Sequence, residues 1–374
     1  MLISLLQDLI RIPSENNGVT GYENDVQLFY HGWLKRHGVN AELIYPETMP
    51  GFDTMPGRLP EHEMRNRPLV LASLKGFRPG KRRLLLAHAD TVPVGELSAW
   101  SDPPFSGKLE NGRIYGRGAS DDKWGMALMG CLTVELQRSG CDFPGELIIA
   151  SVPDEESGGG NGTVAVFASG IKADEAVYLD GGSNQTIWNA GLGGSGCRIS
   201  GPDHAKIRQV ILEFKKNIKK RLDEHPLFGP DFFPLIEKQF FAISEHEDAV
   251  CFFHDTLPGD DEQQIKRDFE SRLPDCRIIW KSRFLKPAAV SAESPLVTGL
   301  RNAFRAVTGR ELPTTGGVQS DQGLVETYGG IPCILFGCGR RGLPGSAHLP
   351  DEFVEAQRLQ ETYQTILYWL RNGR

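Results

Sequence analysis

Histidines and carboxylates recur in this chain directly after apolar runs. The clearest case is Leu84-Leu85-Leu86-Ala87-His88-Ala89-Asp90. Side chains two apart on a strand project to the same side. His88 and Asp90 therefore share one face at a strand's carboxyl end, where open α/β sheets place their ligands. A histidine there can bind a metal through one ring nitrogen while a nearby carboxylate fixes the other, which suits Asp90. A core histidine hydrogen-bonded to an aspartate fits this stretch equally well.

Further along, Asp121 stands before a long apolar run and Asp154-Glu155-Glu156 closes the run 147–152. Asp180 closes 177–179, and His348 follows the loop beyond 331–336. Acids crowded at the end of a buried strand repel one another in a low dielectric, and a dication removes that cost. Two histidines and several carboxylates meeting at one sheet edge suit two zinc ions sharing a carboxylate. A single structural zinc would favour cysteines, and a magnesium site needs no histidine.

These residues need a sheet to carry them. Three leucines without polar interruption read as a strand buried on both faces, as in a parallel sheet. Apolar spacing predicts helices over 2–10, 23–37, 124–136 and 296–307, and strands over 41–45, 68–74, 147–152, 177–179 and 331–336. Ser120 reads as the N-cap of the helix after it. The proline- and glycine-rich segment 46–67 reads as a loop, and Asp351 and Glu352 as first-turn acids of a closing helix. Glycines at 191, 193, 194 and 196 mark a joint. Beyond it, helices over 204–225 and 262–273 with strands over 249–253 and 277–281 suggest a small inserted α+β unit. Lys215, Lys216, Lys219, Lys220 and Arg221 read as the solvated face of its first helix. The expected organisation is an α/β catalytic domain over 1–190 and 286–374, interrupted by a lid at 191–285.

At 374 residues the chain exceeds one ordinary core, and 40% hydrophobic with 24% charged residues is a soluble, globular composition. A formal net charge of -7 argues against nucleic acid. Seven scattered cysteines, with no Cys-x-x-Cys pair, read as reduced thiols of a cytoplasmic protein. No run is long enough to span a membrane, and the N-terminus does not read as a secretion signal.

His88-Ala89-Asp90-Thr91-Val92-Pro93, Gly116-Arg117-Gly118-Ala119-Ser120-Asp121-Asp122-Lys123, Asp154-Glu155-Glu156 and Ala347-His348 with Asp351-Glu352 occur in that order. In these motifs the chain resembles the dinuclear-zinc amidohydrolase and peptidase family of acetylornithine deacetylase, succinyl-diaminopimelate desuccinylase, aminoacylase and glutamate carboxypeptidase. The resemblance implies a zinc-peptidase-like domain with a mainly parallel sheet and a lid or dimerisation domain. It implies two Zn2+ per chain, with Co2+ or Mn2+ as substitutes. Asp121 would bridge them, His88 and Asp180 would complete one site, and Glu156 and His348 the other. Asp90 would steady His88, and Glu155 would be the general base. The turn Gly316-Gly317-Val318-Gln319-Ser320-Asp321 resembles the family's glycine-rich turn near the substrate, which makes Asp321 a substrate-binding candidate. Ser200-Gly201-Pro202-Asp203-His204 resembles the motif whose histidine stabilises the oxyanion, often across a dimer.

One position departs from the pattern. Asp255 stands where the family's lid carries a carboxylate-gripping arginine, before Thr256-Leu257-Pro258-Gly259. A carboxylate there would repel a substrate carboxylate. Either Asp255 meets a cationic or amide group of the substrate, or it faces solvent and Arg340 or Arg341 binds the anion from the loop before His348; the other reading of those two arginines is a plain solvated loop. The expected activity is hydrolysis of an amide bond in a small N-acyl amino acid or related amine. A dipeptidase or carboxypeptidase on the same scaffold and an inactive binding relative are the alternatives, and a homodimer stays open.

Overall fold

The computed structural model describes residues 1–180, 185–228, 240–281, 283–340 and 344–373. A nine-stranded sheet forms the main body. Its centre is four parallel strands in the order Pro144–Val152, Arg78–His88, Glu175–Tyr178 and Cys333–Phe336. Antiparallel Ala41–Ile44 and Leu69–Lys75 flank one side, and Ile187–Gly191 with Ala288–Ala289 the other.

The leucine run works as its pattern predicts. Leu85 and Ala87 enter the core beneath helices Leu2–Ile10, Lys123–Arg138, Pro295–Thr308 and Ala356–Asn372. Leu84 and Leu86 enter the opposite core, with helix Asn161–Ala168 and with Phe52 and Met64 of segment 46–67. Each leucine so buried contributes about 1.5–3 kcal/mol, so the strand is pinned from both faces and His88 at its end has little freedom.

A second, four-stranded antiparallel sheet runs Ile243–Glu245, Val250–Thr256, Gly193–Ser200 and Arg277–Trp280. Helices His204–Glu224 and Glu262–Arg272 bury Ile207, Val210, Ile211, Ile265 and Phe269 against it, in a core of its own. Lys215 is buried there rather than solvated, and its Nζ donates to the Phe253 carbonyl at 2.7 Å and to that of Phe240. The reason is helical spacing: position 215 lies between Ile211 and Ile218 on the apolar stripe.

Three local expectations change. The helix after Ser120 starts at Lys123 with Asp122 at its N-cap position, and the Ser120 hydroxyl instead accepts from the Arg340 N–H at 2.6 Å. The closing helix starts at Ala356, because Phe353–Glu355 first pairs as a strand with Arg113–Tyr115. Segment 46–67 is a packed excursion with short 3-10 turns, Pro46–Thr48 and Phe52–Thr54, and buries Phe52, Leu59 and Met64. No helix among the described residues is long and apolar enough to cross a membrane.

Candidate metal centre

The carboxyl ends of strands Arg78–His88, Pro144–Val152 and Glu175–Tyr178, the start of helix Lys123–Arg138 and the loop after Cys333–Phe336 deliver the cluster to one edge of the sheet. His88 ends its strand and is fully buried. Its Nε2 lies 3.0 Å from Asp121 Oδ1 and 4.0 Å from Asp180 Oδ1. The other oxygen of Asp121, Oδ2, lies 3.2 Å from His348 Nε2, which is also 3.1 Å from Glu156 Oε2. Two ligand groups result, His88 with Asp121 and Asp180, and Asp121 with Glu156 and His348, each with ligand atoms within 4.8 Å of one another. The donor set of imidazole nitrogens and carboxylate oxygens fits two divalent cations with Asp121 between them.

The electrostatics fit as well. Burial works to raise Asp121, but hydrogen bonds from His348 and His88 outweigh it and hold its carboxyl well below the usual range. Burial raises the Glu155 carboxyl well above its ordinary value, and the Asp180 charge adds to this. Burial opposes the charged form of His88, yet the Asp121 hydrogen bond and the Glu155 charge lift it well above the histidine range. A cluster that draws protons this strongly offers the same negative potential to a dication.

Supporting contacts hold these groups. The His88 ring is steadied at Nδ1 by the Asp90 backbone carbonyl at 2.9 Å, whereas the Asp90 carboxylate stands 3.7 Å away. That carboxylate has another task, because it accepts from the Glu155 N–H at 3.1 Å and the Glu156 N–H at 2.9 Å, and from Asn16 Nδ2 at 2.8 Å. Glu352 is no helix acid. It is fully buried, accepts from the Ser120 and Asp121 N–H groups at 2.7 and 3.1 Å, and ion-pairs with Arg117. Glu155 belongs to neither ligand group, and its Oε2 stands 4.0 Å from His88 Nε2.

The sequence pattern of the peptidase family M20/M25/M40 matches residues 84–372, a stretch that holds the whole cluster. The chain belongs to this family. It is 28% identical to a succinyl-diaminopimelate desuccinylase of Methylococcus capsulatus, over 88% of this chain and 95% of that protein. It is 30% identical to an N-formyl-4-amino-5-aminomethyl-2-methylpyrimidine deformylase of Halalkalibacterium halodurans, over 99% of this chain and 93% of that one. Among solved structures, the fold is that of an M20 family metallo-carboxypeptidase from Sulfolobus solfataricus, with a TM-score of 0.73 at 17% identity over 99% and 98% of the two chains. A dinuclear metal-binding M20 peptidase from Bacillus subtilis aligns with a TM-score of 0.64 at 14% identity over 99% and 96%. As an M20 protein, the chain is a metal-dependent hydrolase of amide bonds.

The remaining candidates of this M20 chain fall in different places. Asp255 does not face solvent: it is buried on strand Val250–Thr256, accepts from Gln319 Nε2, and lies 4.0 Å from Lys215 Nζ. Burial pushes its carboxyl up to about 6, while Lys215 and Gln319 pull the other way. Arg340 is not on a solvated loop, since its guanidinium pairs with Glu355 at 3.0 Å and covers the Phe353 ring at 4.4 Å. Arg341 lies outside the described residues. Asp321 is buried, accepts from the Thr163 hydroxyl and, at 3.4 Å, from Tyr178. His204 opens its helix half-exposed, with Asp203 capping the Lys206 N–H at 2.9 Å. Among the described residues, no hydrogen bond or ion pair joins His204 to the cluster.

Asn16 carries no sequence signal, and Arg117 and Glu352 stand within the resembling motifs without a role that their positions announce. Only the burial of their polar groups reveals them.

Proposed function

We propose that this chain is a dinuclear zinc amidohydrolase of the cytoplasm that removes the acyl group from a small N-acyl amino acid or related amine. The observation that carries the reading is Asp121, which turns one carboxylate oxygen toward His88 and the other toward His348. His88 and Asp180 would hold one ion, Glu156 and His348 the other, with Asp121 shared. Ions so held would lower the pKa of a water molecule and polarise the scissile carbonyl.

Glu155 then acts as the base. It takes a proton from the water as the water oxygen bonds to the carbonyl carbon. When the C–N bond breaks, Glu155 returns that proton to the amine nitrogen, leaving an amine and a carboxylic acid that gives up its remaining proton to become the carboxylate. Burial raises the proton affinity of the Glu155 carboxylate, which makes it a stronger base toward the proton of the water. The Asp90 carboxylate holds the Glu155 and Glu156 N–H groups in place. His204 would serve the oxyanion only if brought in from a partner subunit, which makes a homodimer part of the proposal.

Two relatives bearing names of deacylating enzymes support acyl removal. A dipeptidase would need an acid for the free amino terminus beside the scissile bond, but Gln319 and Lys215 already engage the Asp255 carboxylate. Seven unpaired thiols support a reducing compartment.

Elemental analysis of the purified protein, with Glu155→Ala assayed on N-acyl amino acids and dipeptides, tests the reading. About two zinc ions per chain, kept in a variant whose turnover falls about 100- to 10,000-fold, is the expected result. A protein that takes up no zinc on dialysis against it would end the proposal.

A further inference from the structure

Between strands Ala41–Ile44 and Leu69–Lys75 the excursion 46–67 folds back onto the sheet edge that carries the metal centre. Asn161 clamps it there, accepting from the Leu59 N–H at 2.7 Å and donating to the Leu59 carbonyl at 3.1 Å. The excursion delivers two polar side chains into the interior, His62 at 3% and Arg67 at 1% exposure. Both grip the same carboxylate. His62 Nδ1 lies 2.9 Å, and Arg67 Nη1 3.0 Å, from Asp154 Oδ1. The other side of the Arg67 guanidinium forks onto Glu23, with Nε to Oε2 at 2.9 Å and Nη2 to Oε1 at 2.6 Å.

Asp154 belongs to neither ligand group, yet it is fully buried and directly precedes Glu155. Its backbone is left-handed, with φ of 65°. Aspartate tolerates that region but does not prefer it, so the surroundings must hold it there. Removing such a carboxylate from water costs several kcal/mol unless it is paired and hydrogen-bonded.

Among the described residues, no hydrogen bond from a side chain reaches the Glu155 carboxylate. Its position is therefore set through the backbone on either side. Asp90 fixes the Glu155 N–H at 3.1 Å, and the residue before it is fixed by the excursion.

We propose that His62 and Arg67 are positioning residues for Glu155, acting through the Asp154 carboxylate. The inference rests on the proposed role of Glu155 as base. A misplacement of order 1 Å in a reacting group costs about 100-fold in rate, and loss of the His62 contact lets Asp154 relax by a fraction of that.

His62→Leu tests this, with kcat, KM, bound metal and thermal unfolding all measured. The expected result is a kcat lower by about 10- to 100-fold, with KM and metal content unchanged. His62→Asn, whose Nδ2 can stand in for the ring Nδ1, restores most of the rate. A His62→Leu enzyme of wild-type kcat, or a His62→Asn enzyme as slow as His62→Leu, overturns the proposal. Should His62→Leu not fold, Arg67→Lys keeps the charge and gives up the fork, and the same separation of kcat from KM is required of it.

Glu155→Gln, made alone and combined with His62→Leu, separates the two proposals. In an inactive Glu155→Gln background, His62→Leu adds no further loss, because both act on one group. If Glu155→Gln stays active, the base assignment and this inference fall together. If it is inactive while His62→Leu is fully active, only the positioning role fails.

Discussion

Gln319 donates a hydrogen bond to Asp255, tying the glycine-rich turn of the large sheet to the central pair of strands of the small one. Both partners come from segments that face the substrate by resemblance, but the bond engages them with each other. Asp255→Asn keeps an acceptor for Gln319, so relative turnover of acidic, neutral and basic N-acyl substrates should stay within about threefold of wild type. Asp255→Arg instead sets a second cation beside buried Lys215, and should cost about 3–5 kcal/mol of stability, read by urea unfolding. A changed substrate preference in Asp255→Asn would mean that this carboxylate does meet the substrate.

The proposed sharing of Asp121 would dictate how metal is lost. Asp180→Ala and His348→Ala should each lower bound zinc from about two to about one per chain, and Asp121→Ala should remove both ions. Elemental analysis after gel filtration reads this directly. Equal losses in all three variants would contradict a bridge.

Glu352 pairs with Arg117 in a site closed to water, both residues being at most 2% exposed. Glu352→Ala strands the guanidinium and frees the Ser120 and Asp121 N–H groups. The expected cost is about 3–5 kcal/mol, seen as a lowered urea midpoint, together with weakened metal binding through Asp121. Glu352→Gln, which keeps an acceptor but no charge, should lie between the two.

His254 sits among Phe214, Phe252, Trp280 and Phe284. Burial pushes its imidazole down to about 4 from an ordinary 6.5. Its folded value is depressed, so its stabilising contribution is present above pH 6.5 and is lost as pH falls from there toward 4. Its neighbour Asp255, raised to about 6, works in the opposite sense, favouring the folded state below pH 4 and losing that advantage as pH rises through 6. His254→Phe should therefore gain about 2–3 kcal/mol relative to wild type on going from pH 7 to pH 4.5, measured as unfolding free energies at the two pH values. A constant difference would place the imidazole in contact with water.

Much of the centre was legible because His88, Glu156 and Asp180 follow apolar strands and Asp121 precedes a helix, where chain direction is fixed, while His348 lies on the loop after the last buried strand. His88, Asp121, Glu156, Asp180 and His348 meet as that reasoning required. What stayed hidden involves main-chain partners or long separations. The carbonyl of Asp90, not its carboxylate, steadies His88, and no residue type announces a carbonyl. Glu352 had the look of a helix acid because an acid before a helix and an acid capping a distant loop are identical in sequence. His62 and Arg67 lay in a segment whose prolines and glycines suggested only a loop, and His62 meets a partner 92 positions away. Lys215 was readable in principle, since it interrupts an apolar stripe at helical spacing.

Strand Cys333–Phe336 lies between Glu175–Tyr178 and Ile187–Gly191, so a late stretch of chain fills a slot between two early ones. During synthesis, Glu175–Tyr178 and Ile187–Gly191 each wait with an open edge until some 140 further residues have emerged, at about 5–20 residues per second. His348 arrives later still. Of the proposed ligands, His88, Asp121, Glu156 and Asp180 precede the slot and His348 alone follows it, so an ion captured during translation would meet one complete ligand group and one still lacking its imidazole. Loading of the second proposed site would then have to wait for the segment that closes the slot, so the two ions of the proposed pair would be taken up one after the other.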